Sequence, residues 1–147
     1  MTEGLTQHEA DSLFRMEKHC VDLAEIWTFP SPGKSLHIEL TDPDNVEEFM
    51  LDVQRSQIKV TKATYQNRHQ KTIVLARLDI DGPPHRNPDG QMVPCPHLHL
   101  YREGYGDKWA IAAPADFTNP SDLMDTLIDF FAFLNITKPP NIQMNLV

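Results

Sequence analysis

Hydrophobic and polar positions change period several times along the chain, and each change predicts an element. Thr6 followed by Glu9 has the spacing of a capping box, which starts a helix. Ala10, Leu13, Phe14, Val21 and Ala24 recur at roughly helical spacing, so a helix is expected to about Ala24, before Pro30, Pro32 and Gly33 break the pattern. Leu36, Ile38 and Leu40 alternate with His37 and Glu39, the period of a half-buried strand. Phe49, Leu51 and Val53 repeat that alternation after the turn TDPDN. Ile58 and Val60 predict a further strand, and the polar cluster QNRHQ reads as a turn. The clearest strand is TIVLARLDI, with Val74, Ala76, Leu78 and Ile80 on one face. A Gly- and Pro-rich loop over residues 81–96 leads to HLHLY, with Leu98 and Leu100 on one face. KWAIAA should pair with it across the turn EGYGD. A second helix has Asn119 as N-cap, Pro120 at its first position and Asp122 in its first turn. Its apolar face is Leu123, Leu127, Phe130, Phe131 and Leu134, and it ends before Pro139 and Pro140. The tail NIQMNLV leaves room for a short edge strand.

The expected fold is α+β and a single domain over residues 1–147. A largely antiparallel sheet of about five or six strands carries an N-terminal and a C-terminal helix on one face. The length, 147 residues, is that of one domain with a real core. Hydrophobic content of 40% and charged content of 23% are those of a globular chain. No apolar run reaches the roughly 20 residues that span a bilayer, and the acidic, polar start lacks the regions of a secretory signal. The expectation is a cytoplasmic protein without membrane contact. Cys20 and Cys95, the two cysteines, read as thiols and not as a disulfide framework.

Net charge is −8, which taken alone opposes nucleic-acid binding, but the distribution changes that picture. Residues 55–77 hold six basic residues and no Asp or Glu. A segregated basic stretch can make a local field for a polyanion. The acids around Asp42, Asp44, Glu47, Glu48 and Asp52 offer a different contact, to a basic groove on a protein partner.

Strand period then locates candidate chemistry. If Ala76, Leu78, Leu98 and Leu100 face the helices, Arg77, Asp79, His97, His99 and Tyr101 face the other way, as do His37, Glu39 and Lys59. In the loop, His85 sits between turn-forming residues that can fix a side chain at a strand end. Three chemistries fit this set. Metal-independent RNA cleavage needs a base and an acid, for which histidines serve, and a cation for the developing phosphorane charge. His97 and His99 would be acid and base, Arg77 would stabilise charge, Asp79 would orient and His85 would assist. Lys59, Lys62, Arg68 and Lys71 would hold the RNA backbone, and Tyr101 would stack a base. Non-catalytic binding and inhibition of a macromolecular partner is the second. A metal-dependent hydrolase is the third, with His97 and His99 at i and i+2 chelating one ion and His85, Cys95 or Asp79 completing the set.

Arg77-x-Asp79, Pro84-His85 and Pro96-His97-x-His99 together resemble the TumE-like toxin family of bacterial toxin–antitoxin systems. That family has an Arg-x-Asp, a Pro-His pair and a later Pro-His-rich motif. Here the histidine motifs are separated by the longer insert RNPDGQMVP. The resemblance covers about 25 residues and implies a small RNA-cleaving toxin with a protein antitoxin or host target. Over its whole length the chain is similar to an uncharacterised bacterial and phage family with the pattern DIxGPPHxNPDG…PHLHxYxEGxGDKWA. The leading expectation is a metal-independent, toxin-like endoribonuclease of a toxin–antitoxin or mobile-element system. It requires no cofactor, takes RNA as its partner and is compatible with a homo-oligomer.

Overall fold

The structure, a computed structural model, describes residues 4–144. In chain order its elements are α1 (Gln7–Arg15), β1 (Lys18–Cys20), β2 (Ile26–Thr28), β3 (Ser35–Thr41), β4 (Glu48–Arg55), β5 (Ala63–His69), β6 (Ile73–Ile80), β7 (His85–Arg86), β8 (Met92–Val93), β9 (His97–Leu100), β10 (Ala110–Ala112), α2 (Leu123–Phe133), β11 (Ile136–Lys138) and β12 (Asn141–Gln143). Eight strands form one sheet in the order β10-β9-β6-β5-β4-β3-β1-β11. Every pairing in it is antiparallel except β1 with β11. The fold is α+β, and the sheet is larger than the five or six strands expected. β7 and β8 form a small hairpin, and β12 pairs in parallel with β2. Among the described residues no helix is long and apolar enough to cross a membrane.

One face of the sheet builds the core. Ile38, Leu40, Leu51, Val53, Tyr65, Leu78, Ile80 and Leu98 share a single buried cluster with Ala10 and Leu13 of α1 and Leu127, Phe130 and Phe131 of α2. The Tyr65 hydroxyl reaches through it to donate to Leu123 O at 2.7 Å. Between β5 and β6 the register slips. Asn67 lies opposite Ala76 and Arg68 opposite Val74, so Leu75 has no partner across the strand. Leu75 and Ala76 are both buried in the core, and Ile73 packs on it where Val74 was expected.

Four further expectations are corrected. The first helix does not continue to Ala24. Its capping box is present, but the helix stops at Arg15, and Lys18–Cys20 becomes a strand beside β3. The cause is Lys18, which is fully buried. Its Nζ donates to Phe14 O, Met16 O and Leu134 O at 2.9, 3.0 and 2.8 Å, carbonyls at the C-terminal ends of both helices, where a cation is favoured. Burial pushes this lysine down to about 7. Val21 and Ala24, the continuation of the helical stripe, are exposed.

The strand expected at Ile58 and Val60 is a loop with Ile58 98% exposed, held by Ser56 Oγ accepting from the amides of Ile58 and Lys59. QNRHQ is no turn, because four of its residues lie in β5, and the chain reverses after Gln70, which takes a left-handed φ of 56°. The cap of α2 is Asp122, whose carboxylate accepts from the Asp125 amide, and Asn119 belongs to the preceding turn. The tail forms β12, and its last three residues lie outside the described ones.

Candidate functional site

The core face leaves the alternate residues of the same strands on the opposite side. Two rows run across it. Residues His37, Asp52, Gln66, Arg77 and His99 lie opposite one another on β3, β4, β5, β6 and β9. So do Ser35, Gln54, Thr64, Asp79 and His97, one step along. Arg77 and Asp79 therefore meet His99 and His97 directly, because β6 and β9 are neighbours.

Asp79 is the hub. Its Oδ2 lies 3.0 Å from His97 Nε2, 3.2 Å from His99 Nε2 and 3.3 Å from an Arg77 guanidinium nitrogen. Its Oδ1 accepts from the Thr64 hydroxyl at 3.1 Å. Burial by itself pushes this carboxyl up. The hydrogen bond from His99, the charge of Arg77 and the hydrogen bond from His97 outweigh burial and hold it well below the usual carboxylate range.

Backbone carbonyls orient the rings. His99 Nδ1 donates to Asp107 O at 2.7 Å, His97 Nδ1 to Val93 O at 3.2 Å and His85 Nε2 to Lys108 O at 2.7 Å. A carbonyl only accepts, so these nitrogens carry the protons. His99 Nε2 then has a partner in either protonation state. Protonated, it donates to Asp79; neutral, it accepts from Arg77, whose nitrogen is 3.1 Å away. The His85 ring stands edge-on to His99, with centroids 4.5 Å apart, and 5.9 Å from His97. Arg77 also reaches Asp107 at 3.1 Å.

All five residues of the predicted catalytic set, Arg77, Asp79, His85, His97 and His99, are thus in one cluster. A cavity of about 400 Å³ opens onto it, lined by Arg77, Asp79, His85 and His97 together with Lys62, Thr64, Gln66 and Gln54. His99 lies beneath, with no exposure, and His97 is 2% exposed. The burial of Cys95 pushes its thiol up, and its Sγ sits 3.5 Å from His97 Nδ1.

The predicted RNA-binding set is dispersed. Lys62 lines the cavity. Lys59 pairs with Asp81 at 2.8 Å. Arg68 grips Asp52 through two nitrogens at 2.6 and 2.8 Å, in a cluster that His37 and Gln66 complete. Lys71 is exposed in the turn after β5. Tyr101 leaves the site face: its hydroxyl donates to Leu5 O and accepts from Leu5 N, and its ring packs on the core.

Sequence reasoning passed over Asp107, whose carboxylate and carbonyl hold Arg77 and His99. It also passed over Asn87, in the Gly- and Pro-rich loop over residues 81–96. The Asn87 amide is buried and makes two bonds to the edge strand, Nδ2 to Ala110 O at 2.9 Å and Oδ1 from Ala110 N at 2.8 Å. It ties the loop carrying His85 onto β10. The signal available was position: EGYGD must fold back on the strand that carries His97 and His99.

The chain belongs to a family of unknown function, DUF6978, whose sequence model matches residues 5–136. No curated protein and no solved structure matches it.

Proposed function

We propose that this member of DUF6978 is a toxin-like endoribonuclease that cleaves RNA without a metal ion. The observation that carries the reading is the convergence of Arg77, Asp79, His85 and His97 on one polar cavity with His99 directly beneath. The motif resemblance of Arg77-x-Asp79, Pro84-His85 and Pro96-His97-x-His99 to TumE-like toxins, over about 25 residues, points the same way and would imply a neutralising protein partner.

In the reaction a base removes the proton of a ribose 2′-hydroxyl, the oxygen attacks the adjacent phosphorus, and the 5′-oxygen leaves with a proton from an acid. The products are a 2′,3′-cyclic phosphate and a free 5′-hydroxyl. His85 lines the cavity with its Nδ1 uncommitted among the described side-chain bonds, which fits one of the two proton-transfer roles. His97 would take the other by turning its Nε2 from Asp79 to the substrate, since its Nδ1 is held by Val93 O. Arg77 and Lys62 would stabilise the charge that develops on the phosphorane. His99 is a positioning residue, holding Asp79 and Arg77.

One observation favours a second reading, a metal-dependent hydrolase. Ligand atoms of Asp79, His97 and His99 lie within 4.8 Å of one another. Both imidazoles have Nδ1 donating to a carbonyl, which presents Nε2 as a ligand with its tautomer preset. The donor set fits Zn²⁺, which would supply a Lewis acid and an activated water. Arg77 opposes it, since its guanidinium already neutralises Asp79 and touches His99 Nε2.

Incubating purified protein with RNA in excess EDTA separates the readings. The expected result is cleavage that falls about 10²-fold or more in His85→Ala and His97→Ala while both variants melt cooperatively. Cleavage abolished by EDTA and restored by Zn²⁺ would replace this reading with the metal one. No cleavage under either condition overturns both and leaves partner binding.

A further inference from the structure

The cavity over the histidines does not stand alone. A second cavity of about 250 Å³ shares Gln54, Lys62, Ala63 and Thr64 with it and continues to Lys34 and Ser35. The row Ser35, Gln54, Thr64, Asp79 and His97 forms the floor on five adjacent strands. That is four strand intervals, about 19 Å, longer than one nucleotide.

Charge along this trench runs against the molecule as a whole. Net charge is −8, yet the residues lining the two cavities include four cations, Lys34, Arg55, Lys62 and Arg77, and one carboxylate, Asp79, which Arg77 already contacts. Among the described residues neither Lys34 nor Lys62 has a carboxylate within 4.0 Å. Lys62 reaches Gly82: a Cβ there would be in ordinary van der Waals contact with Lys62 Cε, at 3.4 Å, and with Cys95 Sγ, at 3.6 Å. The Lys62 side chain therefore lies against the loop that carries His85. Among the described residues no Phe, Tyr or Trp lines either cavity.

We propose that the two cavities form one groove for single-stranded RNA, with Lys34 and Lys62 holding phosphates on one side of the bond to be cut. This rests on the ribonuclease reading of the histidine cluster. It adds the substrate class and a polarity, with the reacting phosphate at Arg77 and His85 and the flanking strand running over Thr64 and Gln54 toward Ser35. Without aromatic platforms the grip falls on the sugar-phosphate backbone. Binding is then tolerant of base sequence and strongly dependent on salt.

The test is fluorescence anisotropy with a 2′-O-methyl hexanucleotide, which lacks the attacking hydroxyl, titrated against salt. Three phosphate contacts, at Lys34, Lys62 and Arg77, predict a slope of log K on log salt of about −2. Lys34→Gln and Lys62→Gln should each remove about 0.7 of that slope, and the double variant should bind roughly tenfold or more weakly at low salt. Lys138→Gln, an exposed position of β11 that lines neither cavity, should bind like the wild type, and melting curves confirm that the variants are folded. A double variant with unchanged affinity and slope overturns the groove. So does a hexanucleotide that binds no better than a dinucleotide, or a hexaglutamate peptide that competes equally. Cleavage of the unblocked hexaribonucleotide is read separately. Salt-sensitive binding that needs both lysines, without cleavage, keeps the groove and removes the nuclease; cleavage with an unchanged slope does the reverse.

Discussion

Asp79 receives three positively polarised groups on one oxygen, and that single carboxylate organises the site. Removing it strands a guanidinium and two imidazoles in a largely buried place, so Asp79→Ala is expected to cost about 3 kcal/mol in chemical denaturation at pH 7. The carboxyl is held below its ordinary value of 3.8 in the fold. Its stabilising contribution is therefore fully present above that value and is lost as pH falls through the lower, folded one. Asp52 is shifted the same way: burial pushes it up, and Arg68, His37 and Gln66 together outweigh that. Urea midpoints should fall steeply below about pH 4, and the fall should be shallower in Asp79→Asn. Equal slopes in wild type and variant would remove Asp79 from this role. That Arg77, Asp79, His97 and His99 face the same side was legible from strand period, but the pairing of β6 with β9 that makes them meet was not. Nor was what orients the rings. Carbonyls of Val93, Asp107 and Lys108 lie in loops and turns, whose path no periodicity encodes.

At the scale of elements, the capping box, the hairpin of β9 with β10 and the alternation of β3 and β4 were readable because each is local. Lys18 shows the opposite case. Helical spacing ran on past it, but a lysine whose three donors are met by helix-end carbonyls from residues 14, 16 and 134 is a tertiary event. The loop over residues 81–96 is similar. NPDG reads as a turn and does make one, yet the Asn87 side chain also pairs with β10 as a short strand would. Asn87→Ala should leave the sheet folded while amide exchange quickens across residues 85–93. RNA cleavage should fall about tenfold as His85 loses its fixed place over His99. Unchanged exchange in that loop would show that Asn87 does not hold it.

For the whole molecule, the sheet divides labour between its faces. Apolar side chains of the strands and of both helices share one buried cluster, while alternate strand residues make two polar rows that end at the histidines. The sheet closes through a parallel pairing between residues far apart in sequence, Lys18 with Ile136, which is why its full width of eight strands could not be counted from hairpin patterns alone. The basic residues in the middle of the chain go to different places in the fold. Arg68 is committed to Asp52 and Lys59 to Asp81, whereas Lys62 opens onto the cavity and Lys34, outside the basic stretch, extends it. The central claim is that the histidine cluster cleaves RNA through the 2′-hydroxyl without a metal. The most direct measurement is to incubate the wild-type protein in EDTA with an oligoribonucleotide and with the same sequence carrying only 2′-deoxyribose, and to identify the product ends. The account predicts 2′,3′-cyclic phosphate and 5′-hydroxyl ends from the RNA and no cleavage of the deoxy strand. Cleavage of both strands, or of neither, would contradict it.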